Sequence, residues 1–143
     1  MMRRLAVALA VLGTSAAAVH AATIPGFRSP TGNIKCVFIP GRPAAMLCTI
    51  GQADYAKTLQ RRCLGPNGAG VDWHGFILPA ATKGQVSCSG GALYTQQPRY
   101  ITLAYGKTWR QKMFSCTSHF DGVNCSNPQG HGMFISRQTW RTW

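Results

Sequence analysis

The sequence predicts a small all-β domain, an antiparallel sandwich or barrel stapled by disulfides and carrying one short helix. Three observations point there. The 143-residue chain contains six cysteines. Its apolar residues recur in short alternating runs, and clusters of Gly, Pro, Asn and Asp separate those runs.

The first 21 residues, MMRRLAVALAVLGTSAAAVHA, combine basic Arg3 and Arg4, an apolar stretch from Leu5 to Leu12 and small residues up to Ala21. That is the layout of a secretory signal peptide. The 15 residues from Leu5 to Val19 are interrupted by Gly13, Thr14 and Ser15, whereas a membrane-spanning helix needs about 20 apolar residues. Removal after Ala21 is therefore expected, not anchoring. Residues 22–143 are then one disulfide-rich β domain, exported to the periplasm or the extracellular medium and soluble there.

In NIKCVFI, Ile34, Cys36 and Phe38 share one face, as do Met46, Cys48 and Ile50 in AMLCTI. The intervening PGRPA is turn chemistry that folds the two runs into an antiparallel hairpin, with Cys36 opposite Cys48. Next, residues 53–63 (ADYAKTLQRRC) bring Tyr55, Leu59 and Cys63 together at helical spacing. Asp54 near the start and Arg61 and Arg62 near the end suit the helix dipole, and Gly65-Pro66 stops the helix. The remaining strand candidates are WHGFILPA, QVSC, ITLAY, KMFSCTS, GVNCSN, GMFISR and the terminal TWRTW. Phe114 shares a face with Cys116, and Val123 with Cys125. Asp121-Gly122 marks a turn between them, so a four-residue loop from His119 to Gly122 sets Cys116 opposite Cys125. Elimination leaves Cys63 for Cys88, a bridge from the helix to the QVSC strand. Each disulfide contributes about 2–4 kcal/mol, chiefly by restricting the unfolded chain. Eight residues separate even the closest pair, Cys116 and Cys125, a poor match to zinc-ligand spacing, so no metal is expected.

Formal charge is +12, and loss of Arg3 and Arg4 leaves +10, with Asp54, Asp72 and Asp121 as the only carboxylate side chains. Such a balance favours an anionic partner, an envelope glycan or a lipid headgroup, through an attraction that salt weakens. It disfavours a basic enzyme as partner. Three scattered aspartates and no glutamate disfavour paired-carboxylate catalysis. G-x-S-x-G is absent, and oxidised cysteines cannot act as nucleophiles. No cofactor and no specific nucleic-acid contact is predicted. An alternative is a histidine-dependent hydrolase of nuclease type, with His74, His119 and His131 as acid or base and Lys107 or Arg110 on a phosphate. Each histidine also has a structural place: His74 on the solvent side of a strand, His119 in a hairpin loop, and His131 between Gly130 and Gly132. We expect this last motif to be architectural, its ring bonding a neighbouring carbonyl or filling a gap. For binding, Trp109, Arg110, Lys112, Trp140 and Arg141 form the candidate set, since aromatic and basic side chains together stack on rings and hold anionic groups. The wider group includes Tyr100, Tyr105, Trp143, Arg99, Lys107 and Arg137. A purely structural or interaction domain is the other alternative.

FRSPTGNIKC, LAYGKTWR followed by FSC, and GVNC-SN-GHGMFISR together resemble a family of uncharacterised exported bacterial domains. The resemblance spans nearly all of residues 22–143 and implies a small exported disulfide domain of unknown function. Met133 departs from the pattern, standing where phenylalanine is expected. The family supplies no catalytic residues to carry over.

Overall fold

A computed structural model describes residues 22–143; the predicted signal segment lies outside the described residues. The strands form two sheets in a sandwich-like arrangement with no closed barrel. The larger sheet contains β1 (Thr23–Arg28), β2 (Ile34–Ile39), β3 (Ala45–Ile50), β4 (Asp72–Pro79), β5 (Gln85–Ser89) and β6 (Gln97–Thr102), in the order β5-β4-β3-β2-β1-β6. The smaller contains β7 (Thr108–Gln111), β8 (Phe114–His119), β9 (Gly122–Ser126), β10 (Gly132–Ile135) and β11 (Trp140–Thr142), in the order β11-β10-β9-β8-β7. One helix, α1 (Ala56–Leu64), follows β3. Among the described residues, no helix is long and apolar enough to cross a membrane.

Alternation builds the main core. Phe27, Phe38, Met46, Phe76, Phe114 and Met133 pack between the sheets with the cysteines of both cross-strand bridges. Cys36 pairs with Cys48 across β2–β3, and Cys116 with Cys125 across β8–β9, with Cα separations of 4.1 and 4.0 Å. The sulfurs of Cys36, Cys48 and Cys125 lie within 4.8 Å of one another, so the two staples meet across the layers. The turn between β8 and β9 is tighter than expected: His119 and Gly122 themselves pair, leaving Phe120 and Asp121 as the loop.

Cys63 joins Cys88 at a Cα separation of 5.5 Å and so ties α1 to β5. The helix begins later than its periodicity suggests: Tyr55, at φ −94 and ψ 1, is its N-cap, and the residues at this end are tied to the β10–β11 turn. The Asp54 amide donates to Arg137 O at 2.9 Å, and the Tyr55 hydroxyl to Ser136 O at 2.9 Å. Burial, reinforced by the Asp54 charge, pushes the Tyr55 phenol well above its ordinary pKa. Its ring joins Trp73, Phe76 and Trp140 in one aromatic cluster. Trp73 and Phe76 share a side of β4 because a register shift falls between them. Gly75 there has φ +102 and sits so close to Cys48 O that a side chain would collide with it.

The antiparallel expectation fails at one pair: β1 and β6 run parallel. β5 and β6 occupy opposite edges, so residues 90–96 must cross five strand spacings, about 24 Å. Eight residue steps reach about 27 Å when extended, and the crossing bends at Gly90, Gly91, Leu93 and Gln96 on the way. It lies over the outer face, where Leu93, Tyr94 and Tyr100 pack on buried Ile24, Val37 and Leu47. Burial and the Tyr94 hydrogen bond push the Tyr100 phenol up to about 12.

Candidate functional site

A groove of about 830 Å³ opens at one end of the sandwich. One wall is the β1–β2 turn. Ser29 organises it: its Oγ accepts from the Ile34 amide at 3.1 Å, its amide donates to Ile34 O, and its carbonyl accepts from the Gly32 amide. Asn33 then fastens the turn to the end of β3, donating to Gln52 O at 3.0 Å and accepting from Gln52 N at 2.8 Å. The SPTGN segment is thus a braced turn over the buried floor residue Ile34.

The facing wall comes from the tip of the β8–β9 hairpin and from residues 136–138 between β10 and β11. Ser136 holds the latter turn with a reciprocal bond to Thr139, donating to its carbonyl and accepting from its amide, both at 3.0 Å. Tyr105 closes one side. The Gly106 amide donates to Ser118 O at 2.7 Å, and the Tyr105 ring stacks at a tilt on Phe120 with centroids 5.4 Å apart. Phe120 is 89 % exposed and Tyr105 41 %. The Phe120 ring thus forgoes about 2–3 kcal/mol of burial at the groove rim.

The lining carries one imidazole, His119, one carboxylate, Asp121, and one guanidinium, Arg137. Arg137 reaches Asp54 at 3.6 Å, but both side chains are 61 % exposed, so the pair is weak and open to exchange with a ligand anion. The groove can stack a ring, exchange hydrogen bonds with hydroxyls and hold a negative group. It contains no carboxylate pair.

The residues singled out by sequence are dispersed. Trp109 packs against Phe27 at 5.2 Å and Trp140 against Phe76 at 5.2 Å; both are half-buried against the core, which is where their rings contribute most. Arg110 and Lys112 are exposed at the β7 edge, and Arg141 is exposed on β11. The register places β7 and β11 at opposite edges of the smaller sheet, about 19 Å apart, so these residues do not form one compact site. The histidines also separate: His119 lines the groove, His74 is half-buried on β4, and His131 lies in the loop at the other end of β9. Lys107 does not line the groove.

In the G-H-G motif the glycines and backbone have clear roles. Gly130 adopts φ +81, and Gly132 lies directly beneath the Trp143 ring, with no room for a Cβ. The organiser of this loop is Asn127. Its side chain donates to Pro79 O and Thr82 O at 2.9 and 3.0 Å, and accepts from the Gln129 and His131 amides, both at 3.1 Å. The His131 ring makes no hydrogen bond among the described residues, so the expected ring-to-carbonyl contact is replaced by one through its backbone. Sequence reasoning missed Asn127 and Asn33 as organisers and Phe120 as the exposed ring at the groove rim. The available signal for Phe120 was an apolar residue inside an S-H-F-D-G turn.

Fold and groove together define a two-layer β protein with three internal staples and a ligand-sized opening between its sheet ends. The chain belongs to DUF6636, a family of unknown function, matched over residues 5–141. No curated protein and no solved structure matches it.

Proposed function

We propose that this protein is a non-catalytic binding module of the periplasm or cell envelope, and that it holds an anionic, hydroxyl-bearing ligand in the groove between the sheet ends. The observation that carries this reading is the pairing of an 830 Å³ groove with the exposed Tyr105–Phe120 stack at its rim. A glycan or a lipid headgroup fits those groups: a ring face or aliphatic edge on Phe120, hydroxyls on Thr31 and Gln138, and an anionic group on Arg137. The chain's positive charge raises the local concentration of such ligands. Three disulfides support an oxidising compartment. Dispersal of the histidines supports binding over hydrolysis.

The test is calorimetric titration with an acidic oligosaccharide, a soluble phospholipid headgroup and a neutral oligosaccharide, at low and high salt. Phe120→Ser and Arg137→Gln should each weaken the anionic ligand about tenfold, and salt should weaken it further. Unchanged affinity in both variants, or equal affinity for neutral and anionic ligands at every salt, overturns the reading.

A further inference from the structure

The outer faces of the two sheets are treated differently. The larger sheet's is covered by the 90–96 crossing. Over the smaller sheet's, nothing among the described residues forms a covering cluster, and the register can be read straight across it. Thr108 pairs with Thr117, Thr117 with Asn124, Asn124 with Phe134, and Phe134 with Arg141. These side chains alternate with the buried set Phe114, Cys116, Val123, Cys125, Met133 and Ile135, so they point outward. A second row runs from Arg110 through Ser115 and Ser126 to Gly132.

Two aromatic rings lie on this outward face, each seated on a glycine. A Cβ at Gly122 would come within 2.9 Å of the Phe134 ring, and Trp143 covers Gly132. The Trp143 indole is fixed by donation to Gly130 O at 3.0 Å, and the Arg141 guanidinium lies 5.0 Å from its centroid. Rings in these positions serve no interior. The glycines let them lie low against the strands, which leaves a flat platform in place of a ridge. Around them stand hydroxyls, Thr108 and Thr117 already bonded at 2.8 Å. Arg110 and Arg141 mark opposite edges, and Lys112 lies in the β7–β8 turn. None of Asp54, Asp72 and Asp121 is on a strand of this sheet.

We propose that this face is a second binding surface, distinct from the groove, and that it takes an extended acidic polysaccharide laid across the strands. The rings stack on the apolar faces of sugar units, the hydroxyls exchange hydrogen bonds with theirs, and the arginines at the edges hold carboxylates on separate units. Cations about 19 Å apart with a polar and aromatic row between them suit a chain, not a single sugar. The absence of carboxylates from the strands makes the complementarity one-sided.

The test measures binding of the protein to polygalacturonate, to galacturonic acid monomer and to neutral dextran. The Arg110→Gln/Arg141→Gln double variant should lose about tenfold or more in affinity for the polymer, and Ser126→Asp, which adds a carboxylate without touching the core, a similar factor. Arg61→Gln/Arg62→Gln on α1 removes the same charge and should cost less than about threefold. Phe120→Ser should lower polymer affinity by less than the Arg110→Gln/Arg141→Gln variant does, which separates this surface from the groove. The proposal fails if the two arginine pairs have equal effects, if the monomer or dextran binds as tightly as the polymer, or if Phe120→Ser costs more polymer affinity than the Arg110→Gln/Arg141→Gln variant. Thermal melts of each variant confirm that the fold survives, and Ser126→Asp decides the matter if the arginine variant does not fold.

Discussion

Asn127 is the residue whose loss should cost the loop most. It is 6 % exposed and makes four side-chain hydrogen bonds at 2.9–3.1 Å, one to the carbonyl of the last residue of β4, one to a carbonyl of the β4–β5 connection and two to amides of its own loop. It therefore joins the larger sheet to the smaller one through a single amide group. At about 1 kcal/mol for each bond, Asn127→Ala should cost about 3–4 kcal/mol, the exposed position of Thr82 letting water replace part of what is lost. For a domain of this size that is a fall in melting temperature of about 12 °C. His131→Ala removes a half-buried ring without a hydrogen bond, and should cost less than about 1 kcal/mol. Asn127→Asp retains the two accepted bonds but turns a carboxylate oxygen toward two carbonyls, so its deficit should shrink in acid as the carboxyl gains a proton to donate. Circular-dichroism melts with the disulfides intact, and hydrogen exchange at the Gln129 and His131 amides, provide the readouts. If Asn127→Ala melts within a few degrees of His131→Ala, the hydrogen-bond reasoning is refuted and the motif histidine carries more than its backbone.

Two further outcomes follow from exposure and from titration. Cys88 is exposed, whereas the four cysteines of the cross-strand bridges are essentially inaccessible; mild reductant under native conditions should therefore open Cys63–Cys88 first. Alkylation and peptide mapping would show this, and equal labelling of Cys36 or Cys116 would contradict it. The Tyr55 phenol is raised by burial first and by Asp54 second, so its stabilising effect is full below the unfolded value near 10 and is lost as pH rises through the higher folded value. Melting temperature should fall above about pH 10, and less steeply in Tyr55→Phe; parallel pH profiles would show that another group governs the loss.

Much of the fold is legible because two periodicities leave little choice. Period-two alternation at Ile34-Cys36-Phe38 and at Phe114-Cys116 commits both cysteines to the interior, and turn residues beyond them fix which strand each one meets. The helix is equally plain, yet its first turn opens on a cap: Tyr55 stands at φ −94 and ψ 1, and its hydroxyl makes a long-range bond to Ser136 O that local spacing does not show. β1 is concealed by Pro25 and Gly26, which read as turn signals. In place, Gly26 accommodates both Cys36 O and the Tyr100 ring, and the strand's parallel partner is reached only through the long crossing.

The candidate site was harder to read, for a reason visible in T-W-R-Q and T-W-R-T-W. Adjacent aromatic and basic residues look like one binding cluster along the chain, but in a strand adjacent side chains take opposite faces. Trp109 and Trp140 therefore go inward to Phe27 and Phe76, while Arg110 and Arg141 go outward. The neighbours that matter lie across the sheet, where Phe134 stands opposite Arg141 and Asn124 opposite Phe134. A one-residue slip of β10 against β9 would exchange Phe134 with the buried Met133 and remove the platform. The Cys116–Cys125 bridge fixes β8 against β9, and Gly132, closely covered by Trp143, fixes β10 and the chain end beside them. The staple and the glycine thus preserve the register on which any outward arrangement of these side chains depends.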